Sequence, residues 1–296
     1  MLNPKLNLSE KIFKKDLESI PTRNGYGEAL LELGEQNPNV VVLTGDLAES
    51  TRVLDFAKKF PERFFECGVA EQNMMGIAAG LAAAGKIPFI SSYAVFSPGR
   101  SWDQLRVSVA YSNLNVKIAG AHTGISVGPD GATHQALEDI AITRVLPNMT
   151  VVVPCDSIET KKATLQGASF KGPYYFRFAR EKTPVMTTDK TPFEIGKAEI
   201  FWDSVTRNAQ TRNSNNSVAI VGCGPLVYEA LLAAKELHEN GIETIVVNNH
   251  TVKPMDASTI IKVAKLTGAV VTVEEHQVMG GMGSAIAEVL AKNYPV

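Results

Sequence analysis

Apolar, β-rich runs that alternate with helical patterns constrain this chain more than any other feature of its sequence. In the first two thirds these runs are NVVVLTGD, RFFEC, IPFISSY, NVKIAGAH, MTVVVP and PYYFRFA. Strands that are apolar on both faces and alternate with helices are typical of a parallel sheet covered on both sides. We therefore predict a doubly wound, mostly parallel α/β sheet for residues 21–181.

The residue composition of the sequence changes after Ala179. The segment KTPVMTTDKTP is polar and rich in Pro and Thr, which predicts a linker at 182–194. Strand and helix patterns then resume in FEIGKAEIF, SVAIVG, YEALLAAKELHENG, ETIVVNN, ASTIIKVAKLTG and AVVTVEE. They predict a second, smaller α/β domain at 195–296, with a polar loop at 206–217 and an N-terminal extension at 1–20.

Charge and cysteine usage exclude several classes of protein. The chain has 29 Lys and Arg against 31 Asp and Glu, so no general attraction to nucleic acid or membranes is expected. The N-terminal sequence carries charges throughout, unlike a signal peptide, and the run MMGIAAGLAAAG is too short to span a bilayer. Cys67, Cys155 and Cys223 lack metal-ligand spacing, which favours buried, reduced thiols in a cytoplasmic protein.

The segment AHTGISVGPDGATHQ, residues 121–135, follows the predicted strand NVKIAG. Ligands of doubly wound sheets bind at the carboxyl ends of the strands, so this loop lies at the right edge for a site. His122 and His134 on one Gly-rich loop are candidates for acid–base or anion chemistry. Asp130, between Pro129 and Gly131, suits a functional role or a plain turn.

A second candidate region is ECGVAEQNMMGIAAGLAAAG, where a strand ends at Gly68 and a helix begins near Glu71. The helix dipole alone would account for a carboxylate in this first turn. Gly76, Gly80 and Gly85 reduce helix propensity, which predicts close packing of the helix against another element.

A third region, SSYAVFSPGRSWDQLR, puts Tyr93 and Phe96 at a strand end before a helix. Core packing would explain both aromatic residues equally well.

Together with LPNMTVVVPCD, these motifs resemble the pyrimidine-binding half of transketolases, thiamine-diphosphate enzymes that transfer two-carbon ketol units. The similarity runs from about Pro21 to Val296, which implies the pyrimidine-binding domain at 21–181 and the transketolase C-terminal domain at 195–296. The Gly-Asp-Gly…Asn motif, which holds the diphosphate and its metal in the family, has no counterpart in this sequence.

The resemblance therefore implies the C-terminal subunit of a split transketolase, active with a separate N-terminal subunit. That partner would bind the cofactor diphosphate and the Mg²⁺ or Ca²⁺, so no metal ligand is expected on this chain. The resemblance also implies that two copies associate through the pyrimidine domains, giving a heterotetramer.

The resemblance assigns cofactor contacts to four residues. Glu71 matches the glutamate that bonds the pyrimidine nitrogen and favours the imino tautomer, which takes the proton from the thiazolium carbon. A carboxyl buried against an aromatic ring is pushed toward its protonated, donating form, which suits this role. Tyr93 and Phe96 match the aromatic residues that stack on the pyrimidine, and Asp46 matches a residue near the thiazolium.

The resemblance also implies a set of substrate contacts with a sugar phosphate. These residues are Arg23, Ser50, His122, Asp130, His134 and Arg180. The two arginines suit a phosphate dianion. His122 and His134 would serve the two proton transfers of ketol cleavage. The sequence does not assign either transfer to one of them.

Three alternatives stay open at this point. Deoxyxylulose-phosphate synthases share the Glu71 motif and DGATHQ but usually carry Asp where His122 stands. The beta subunits of 2-oxo-acid dehydrogenases share the architecture and normally lack the GPDGATHQ loop. A non-catalytic regulatory subunit could bind an anion at VGCGPLVYEA, although Gly222 and Gly224 lack the third glycine of a dinucleotide fingerprint.

Overall fold

The computed structural model describes residues 1–205 and 216–296, so most of the loop predicted at 206–217 lies outside the described residues. The strands, in chain order, are β1 (Ser19–Pro21), β2 (Val40–Thr44), β3 (Phe64–Glu66), β4 (Ile87–Tyr93), β5 (Lys117–Ala121), β6 (Thr150–Val152), β7 (Tyr174–Phe178), β8 (Lys182–Pro184), β9 (Glu199–Asp203), β10 (Ser217–Gly222), β11 (Glu243–Asn248), β12 (Thr251–Lys253) and β13 (Val270–Val273). The helices are α1 (Thr22–Gln36), α2 (Leu54–Lys59), α3 (Glu71–Ala83), α4 (Trp102–Gln104), α5 (Asp139–Arg144), α6 (Ser157–Ser169), α7 (Val227–Glu239), α8 (Ala257–Thr267) and α9 (Met282–Asn293). A π-helix, Leu105–Tyr111, continues from α4.

The larger sheet has the strand order β12-β6-β7-β5-β4-β2-β3, and the pairs from β6 to β3 are all parallel. Successive residues of β2 point to opposite faces of this sheet. Val41 and Leu43 pack in a core with α3 and the π-helix, whereas Val40 and Val42 pack with α1 and α6. Both faces are therefore covered, which confirms the predicted doubly wound, mostly parallel sheet.

Helices α1 and α6 approach each other closely because Gly25 has no side chain. A Cβ atom at Gly25 would lie 1.9 Å from the carbonyl oxygen of Ser157. This contact holds the first turn of α1, which carries Arg23, against the edge of the sheet.

The smaller sheet has the order β13-β10-β11-β9, with β10 parallel to both neighbours and β9 antiparallel to β11. It confirms the second, smaller α/β unit. The two units share structure, because β12 comes from the second half of the chain and pairs antiparallel with β6 of the larger sheet. The amide of Val153 also donates to the carbonyl of His250, at 2.7 Å.

The N-terminal residues pack on the second unit rather than on the sheet that follows them. Leu6 and Ile12 are buried in one core with Phe201 and Trp202 of β9. Strand β1 pairs antiparallel with β8, which lies at the start of the segment 182–194. Several residues of that segment, including Met186, are buried. The polar composition of 182–194 gave no sign of this packing.

The three cysteines are free thiols, and Cys155 and Cys223 are buried as predicted. The prediction was wrong for Cys67, which is partly exposed because it follows β3, the edge strand of the larger sheet. Across 1–205 and 216–296, the structure contains no helix with the length and apolar character needed to cross a bilayer.

Candidate active site

The carboxyl ends of β2, β4, β5 and β7 meet at one edge of the larger sheet, because these strands are parallel neighbours. Most predicted site residues follow these ends. Asp46 and Ser50 come after β2, Tyr93 ends β4, His122 directly follows β5, and Arg180 lies just beyond β7. The topology therefore collects residues that are far apart in the sequence.

A cavity of about 310 Å³ lies at this edge. Its lining residues are Arg23, Glu49, Ser50, Arg52, Tyr93, His122, Asp130 and Arg180. Six of these eight were predicted from the sequence, and only Glu49 and Arg52 were missed. We call this space the arginine cavity.

Arg23 connects two walls of the arginine cavity. Its Nη1 donates to the carbonyl oxygen of Ser50 at 2.9 Å and to Nε2 of His122 at 3.0 Å. A guanidinium has no acceptor, so Nε2 of His122 must accept and the ring proton must sit on Nδ1. Nδ1 lies 3.9 Å from a carboxylate oxygen of Asp130 and has no hydrogen-bond partner.

Burial and neighbouring positive charges keep His122 neutral. Its side chain is 1% exposed. Burial, followed by the charges of Arg23 and Arg180, lowers the pKa of His122 to about 3. At neutral pH the imidazole is therefore uncharged and acts as a hydrogen-bonding group of fixed tautomer.

Positive charge is concentrated in the arginine cavity. Burial lowers the pKa of Arg23 from its usual value, and the charges of Arg52 and Arg180 lower it further. Arg180 pairs with Glu181, and Nε of Arg52 donates to the side-chain oxygen of Asn24. Three guanidinium groups around one small space favour a multiply charged anion.

Aromatic rings join the arginine cavity to His134. The rings of Tyr93 and His122 stack with centroids 3.9 Å apart, and those of Tyr93 and Phe96 stack at 6.0 Å. The ring of His134 meets Phe96 edge-on at 5.3 Å, and Nδ1 of His134 lies 2.9 Å from the hydroxyl of Thr133. Tyr93, Phe96, His122 and His134 thus form one connected group of rings.

Glu71 lies at the start of α3 and is 1% exposed. Its carboxylate accepts a hydrogen bond of 2.9 Å from Nη1 of Arg100, whose side chain is 48% exposed. The guanidinium of Arg100 lies 4.6 Å from the ring centre of Phe96. Glu71 is therefore linked to the group of rings through Arg100. The sequence did not predict this contact.

Asp46 is exposed and does not line the arginine cavity. Its φ of 61° lies in the left-handed region, and its amide donates to a carboxylate oxygen of Glu66 at 2.7 Å. The structure thus fixes the backbone of Asp46 while leaving its side chain free of the other site residues.

The second unit holds the histidine-bearing loop in place. A carboxylate oxygen of Glu275 accepts hydrogen bonds from the amides of Ile125 and Ser126, at 2.8 and 2.9 Å. Arg177 donates to the carbonyl oxygens of Ala136 and Glu275, at 3.2 and 2.7 Å. The sequence gave no indication of either contact.

Comparison with known families matches both halves of the chain. Residues 18–186 match the transketolase pyrimidine-binding domain, and residues 207–295 match the transketolase C-terminal domain. The chain belongs to the transketolase family.

Individual relatives agree with this assignment. The "Putative transketolase C-terminal section" of Methanocaldococcus jannaschii is 49% identical over 273 residues, which cover 92% of this chain and 82% of the relative. A 6-deoxy-6-sulfo-D-fructose transketolase subunit of a Clostridium species is 41% identical, over 96% of this chain and 85% of the relative. A solved structure, "Split gene transketolase, inactive beta4 tetramer", has a TM-score of 0.84 and 46% identity over 94% of this chain and 88% of that one.

The transketolase family implies thiamine diphosphate, and the surroundings of Glu71 fit its pyrimidine. The planar guanidinium of Arg100 lies between the Glu71 carboxylate and the face of the Phe96 ring. A planar aminopyrimidine would use the same two contacts, a carboxylate at its edge and an aromatic ring on its face. Arg100 itself is half-exposed, so this place is open to a ligand from outside.

Helix α3 of this transketolase chain presents an open face. Apart from its neighbours and the backbone of its own helix, a Cβ atom at Gly76 or Gly80 would have no atom within 4 Å among the described residues, and Ile77 is 37% exposed. The packing partner predicted for these glycines is therefore not found within the described chain. Only the inner face, with Met74 and Ala78, packs on the sheet.

The turn in VGCGPLVYEA is not an anion site of the kind that the regulatory alternative requires. The amide of Gly224 donates to the carbonyl of Val153 at 3.0 Å, and the amide of Cys223 donates to that of Val273 at 3.3 Å. Both amides are therefore already occupied: that of Gly224 bonds the first unit, and that of Cys223 bonds β13 within the second unit.

Proposed function

We propose that this chain is the pyrimidine-binding and C-terminal half of a thiamine-diphosphate-dependent transketolase. It transfers a two-carbon ketol unit from a ketose phosphate to an aldose, together with a separate N-terminal subunit. The arginine cavity carries this proposal, because it joins three guanidinium groups to the ring group that includes both loop histidines. The names of the relatives support the division into two chains.

Glu71, Tyr93 and Phe96 would hold the pyrimidine end of the cofactor. Glu71 would bond the pyrimidine nitrogen in place of its contact with Arg100, and the two rings would pack on the pyrimidine face. When bound, thiamine diphosphate supplies the carbon nucleophile for the ketol transfer. Asp46 would lie near the thiazolium, as the family resemblance implies, and the partner subunit would bind the diphosphate with Mg²⁺ or Ca²⁺.

Arg23, Arg52 and Arg180 bind the terminal phosphate of the sugar. Because phosphate carries up to two negative charges, it offsets both the burial of Arg23 and the repulsion from the neighbouring guanidinium groups, which together lower the pKa of Arg23. Ser50 and Asp130 line the same cavity, where Ser50 contacts the phosphate and Asp130 bonds a sugar hydroxyl. The carbonyl of Ser50 already accepts from Arg23, so its hydroxyl is the group left to bond the substrate.

The two histidines divide their work. His122 is neutral, and its Nε2 accepts from Arg23, so it orients the sugar by hydrogen bonding rather than by gaining a proton. His134 is less buried, and its Nδ1 contact with Thr133 leaves Nε2 available to a substrate hydroxyl. We assign the proton transfers of the ketol cleavage to His134.

Assembly completes the site. The open face of α3 around Gly76, Ile77 and Gly80 is where two copies associate, and two N-terminal subunits then give a heterotetramer with two active sites. The three free thiols support a reducing, cytoplasmic compartment.

The test combines this chain with the N-terminal subunit, thiamine diphosphate, Mg²⁺ and a panel of ketose phosphates with aldose acceptors. We expect ketol transfer with the mixture and none with either chain alone. Isothermal titration should also give only weak cofactor binding to this chain alone. Low-micromolar binding by the single chain, or a mixture that is inactive on every donor, would contradict the proposal.

A further inference from the structure

A buried cluster outside the arginine cavity carries acidic and imidazole groups that the proposed reaction does not use. Glu159 lies in the first turn of α6, Glu199 begins β9, and His250 lies between β11 and β12. One side-chain donor atom from each lies within 4.8 Å of the others. The three residues are 2%, 9% and 0% exposed, so the cluster is enclosed where the two units meet.

Several polar atoms of this cluster have no hydrogen-bond partner. Nε2 of His250 and Oε2 of Glu199 lie 3.8 Å apart, and both are unpaired. The side-chain oxygens of the neighbouring residues Asn248 and Asn249 are also buried and unpaired. In folded proteins, buried polar atoms nearly always have a hydrogen-bond partner. This group of unpaired nitrogen and oxygen atoms therefore indicates a ligand that binds to their lone pairs.

Neighbouring groups orient two of the three donors. Oε1 of Glu159 accepts from the Asn248 amide nitrogen at 2.7 Å, and Oε2 accepts from the backbone amide of Cys155 at 2.6 Å. Nδ1 of His250 lies 2.9 Å from the hydroxyl of Thr251, which leaves Nε2 directed at the carboxylates. A metal-binding histidine is typically held in this way, by a hydrogen bond on its other ring nitrogen.

The charge of Lys162 acts on both carboxylates from a distance, but it does not pair with either of them. Within the described ranges, no Lys or Arg forms a salt bridge with Glu159 or Glu199, and the ammonium of Lys162 donates to the carbonyls of Thr188 and Thr191 instead. Burying carboxylates without a directly paired cation is costly, and a bound cation or a proton would remove that cost.

We propose that Glu159, Glu199 and His250 bind one divalent transition-metal ion, best suited to zinc, which joins the two units of the chain. Two carboxylate oxygens and one imidazole nitrogen form a ligand set that zinc accepts, usually with water in a fourth position. Magnesium and calcium prefer oxygen ligands throughout, so the imidazole selects against them. This site is separate from the cofactor metal, and its test requires no transketolase activity.

The first measurement is the metal content of the full chain, purified without a metal-affinity tag and dialysed against micromolar zinc. We expect about one zinc ion per chain by mass spectrometry of the elements. Removing it with EDTA should lower the melting temperature by about 5 °C, and zinc but not magnesium should restore it. The proposal is overturned if the chain takes up no zinc, or if neither EDTA nor added zinc changes the melting temperature. A proton would then neutralise the buried carboxylates.

Variants locate the site. Glu199→Gln keeps the shape of the side chain and should lose at least about tenfold in zinc affinity, as should His250→Gln. Glu236→Gln and His238→Gln change the same residue types on the exposed side of α7 and should bind zinc like the wild type. Zinc retained in full by both cluster variants would assign the ion to another site, such as the free thiols, and refute the assignment.

Discussion

The arginine cavity and the outer face of α3 differ in how much of their structure this chain supplies. The arginine cavity is built from four neighbouring strand ends and α1, and contacts within the chain already position some of its groups, as in the hydrogen bonds of Arg23 with Ser50 and His122. The outer face of α3 exposes Gly76, Ile77 and Gly80, and a Cβ atom at either glycine would have no atom within 4 Å outside its neighbours and the backbone of its own helix among the described residues. Under the proposed function, substrate recognition is thus preorganised within the chain, whereas the surroundings of Glu71 would be completed by other subunits.

Glu71→Gln should cause the largest effect, because under the proposed function it changes the carboxylate that bonds the cofactor pyrimidine on the open side of the site. We expect turnover of the assembled enzyme to fall by about 10² or more, the scale of general acid–base catalysis. Steady-state kinetics measure this, with circular dichroism to verify the fold and Glu62→Gln as an exposed control. Turnover close to that of the wild type would return Glu71 to a role in the helix dipole.

Arg180→Ala tests the arginine cavity, the part of the site that this chain supplies itself. Loss of one charge-assisted phosphate contact costs about 1.5–3 kcal/mol, which is roughly 10- to 150-fold in binding. The apparent KM for phosphorylated sugars should rise by that factor, while that for hydroxypyruvate should barely change. Lys190→Ala, which removes an exposed charge outside the cavity, is the control. Equal losses on both substrates would mark Arg180 as structural.

Acid should lower the free energy of unfolding of the chain through His122, which lines the arginine cavity. Its pKa is about 3 in the folded chain and about 6.5 in the unfolded chain, so below pH 6.5 the unfolded state takes up a proton that the folded state refuses. Stability is therefore lost as the pH falls from 6.5 toward 3, by about 1.4 kcal/mol at pH 5.5.

Urea unfolding at pH 7.5 and 5.5, with EDTA present, measures this loss. His122→Asn should reduce the difference between the two pH values by about that amount, whereas the exposed His238→Asn should not. An unchanged difference in His122→Asn would show that the imidazole is charged in the folded state.

Ile77→Glu tests the open side with the smallest numerical effect, a twofold change in mass. A charge on the outer face of α3 should keep two copies of the chain apart, so the complex with the N-terminal subunit should shrink from a heterotetramer to a heterodimer. Light scattering measures the mass, and Val278→Glu, at a residue that is 89% exposed elsewhere, is the control. An unchanged mass would exclude α3 from the interface.

The sequence predicted the site best where the sheet itself does the positioning. Ser50, Tyr93, His122 and Arg180 converge because parallel strands end at one edge, and each follows a readable apolar run. Arg52 was missed because its place depends on the path of a loop, where its φ of 64° is unusual for a residue other than glycine.

Other features could not be inferred because they depend on contacts between distant elements. Glu159, Glu199 and His250 come from three elements, and no spacing in the sequence links them. The same applies to Glu275, which supports the histidine loop from the second unit. The partial exposure of Cys67 follows from the position of β3 at the sheet edge, which local pattern does not reveal.

The pairing of β12 with β6 has a consequence for solubility. The larger sheet would expose the backbone of β6 if the second unit were removed, because β12 covers that edge. An uncovered, apolar edge strand recruits strands from other molecules and leads to aggregation. The second unit therefore prevents this edge of the first unit from pairing with other molecules. The pyrimidine-binding domain, expressed without the second unit, should precipitate rather than remain monomeric.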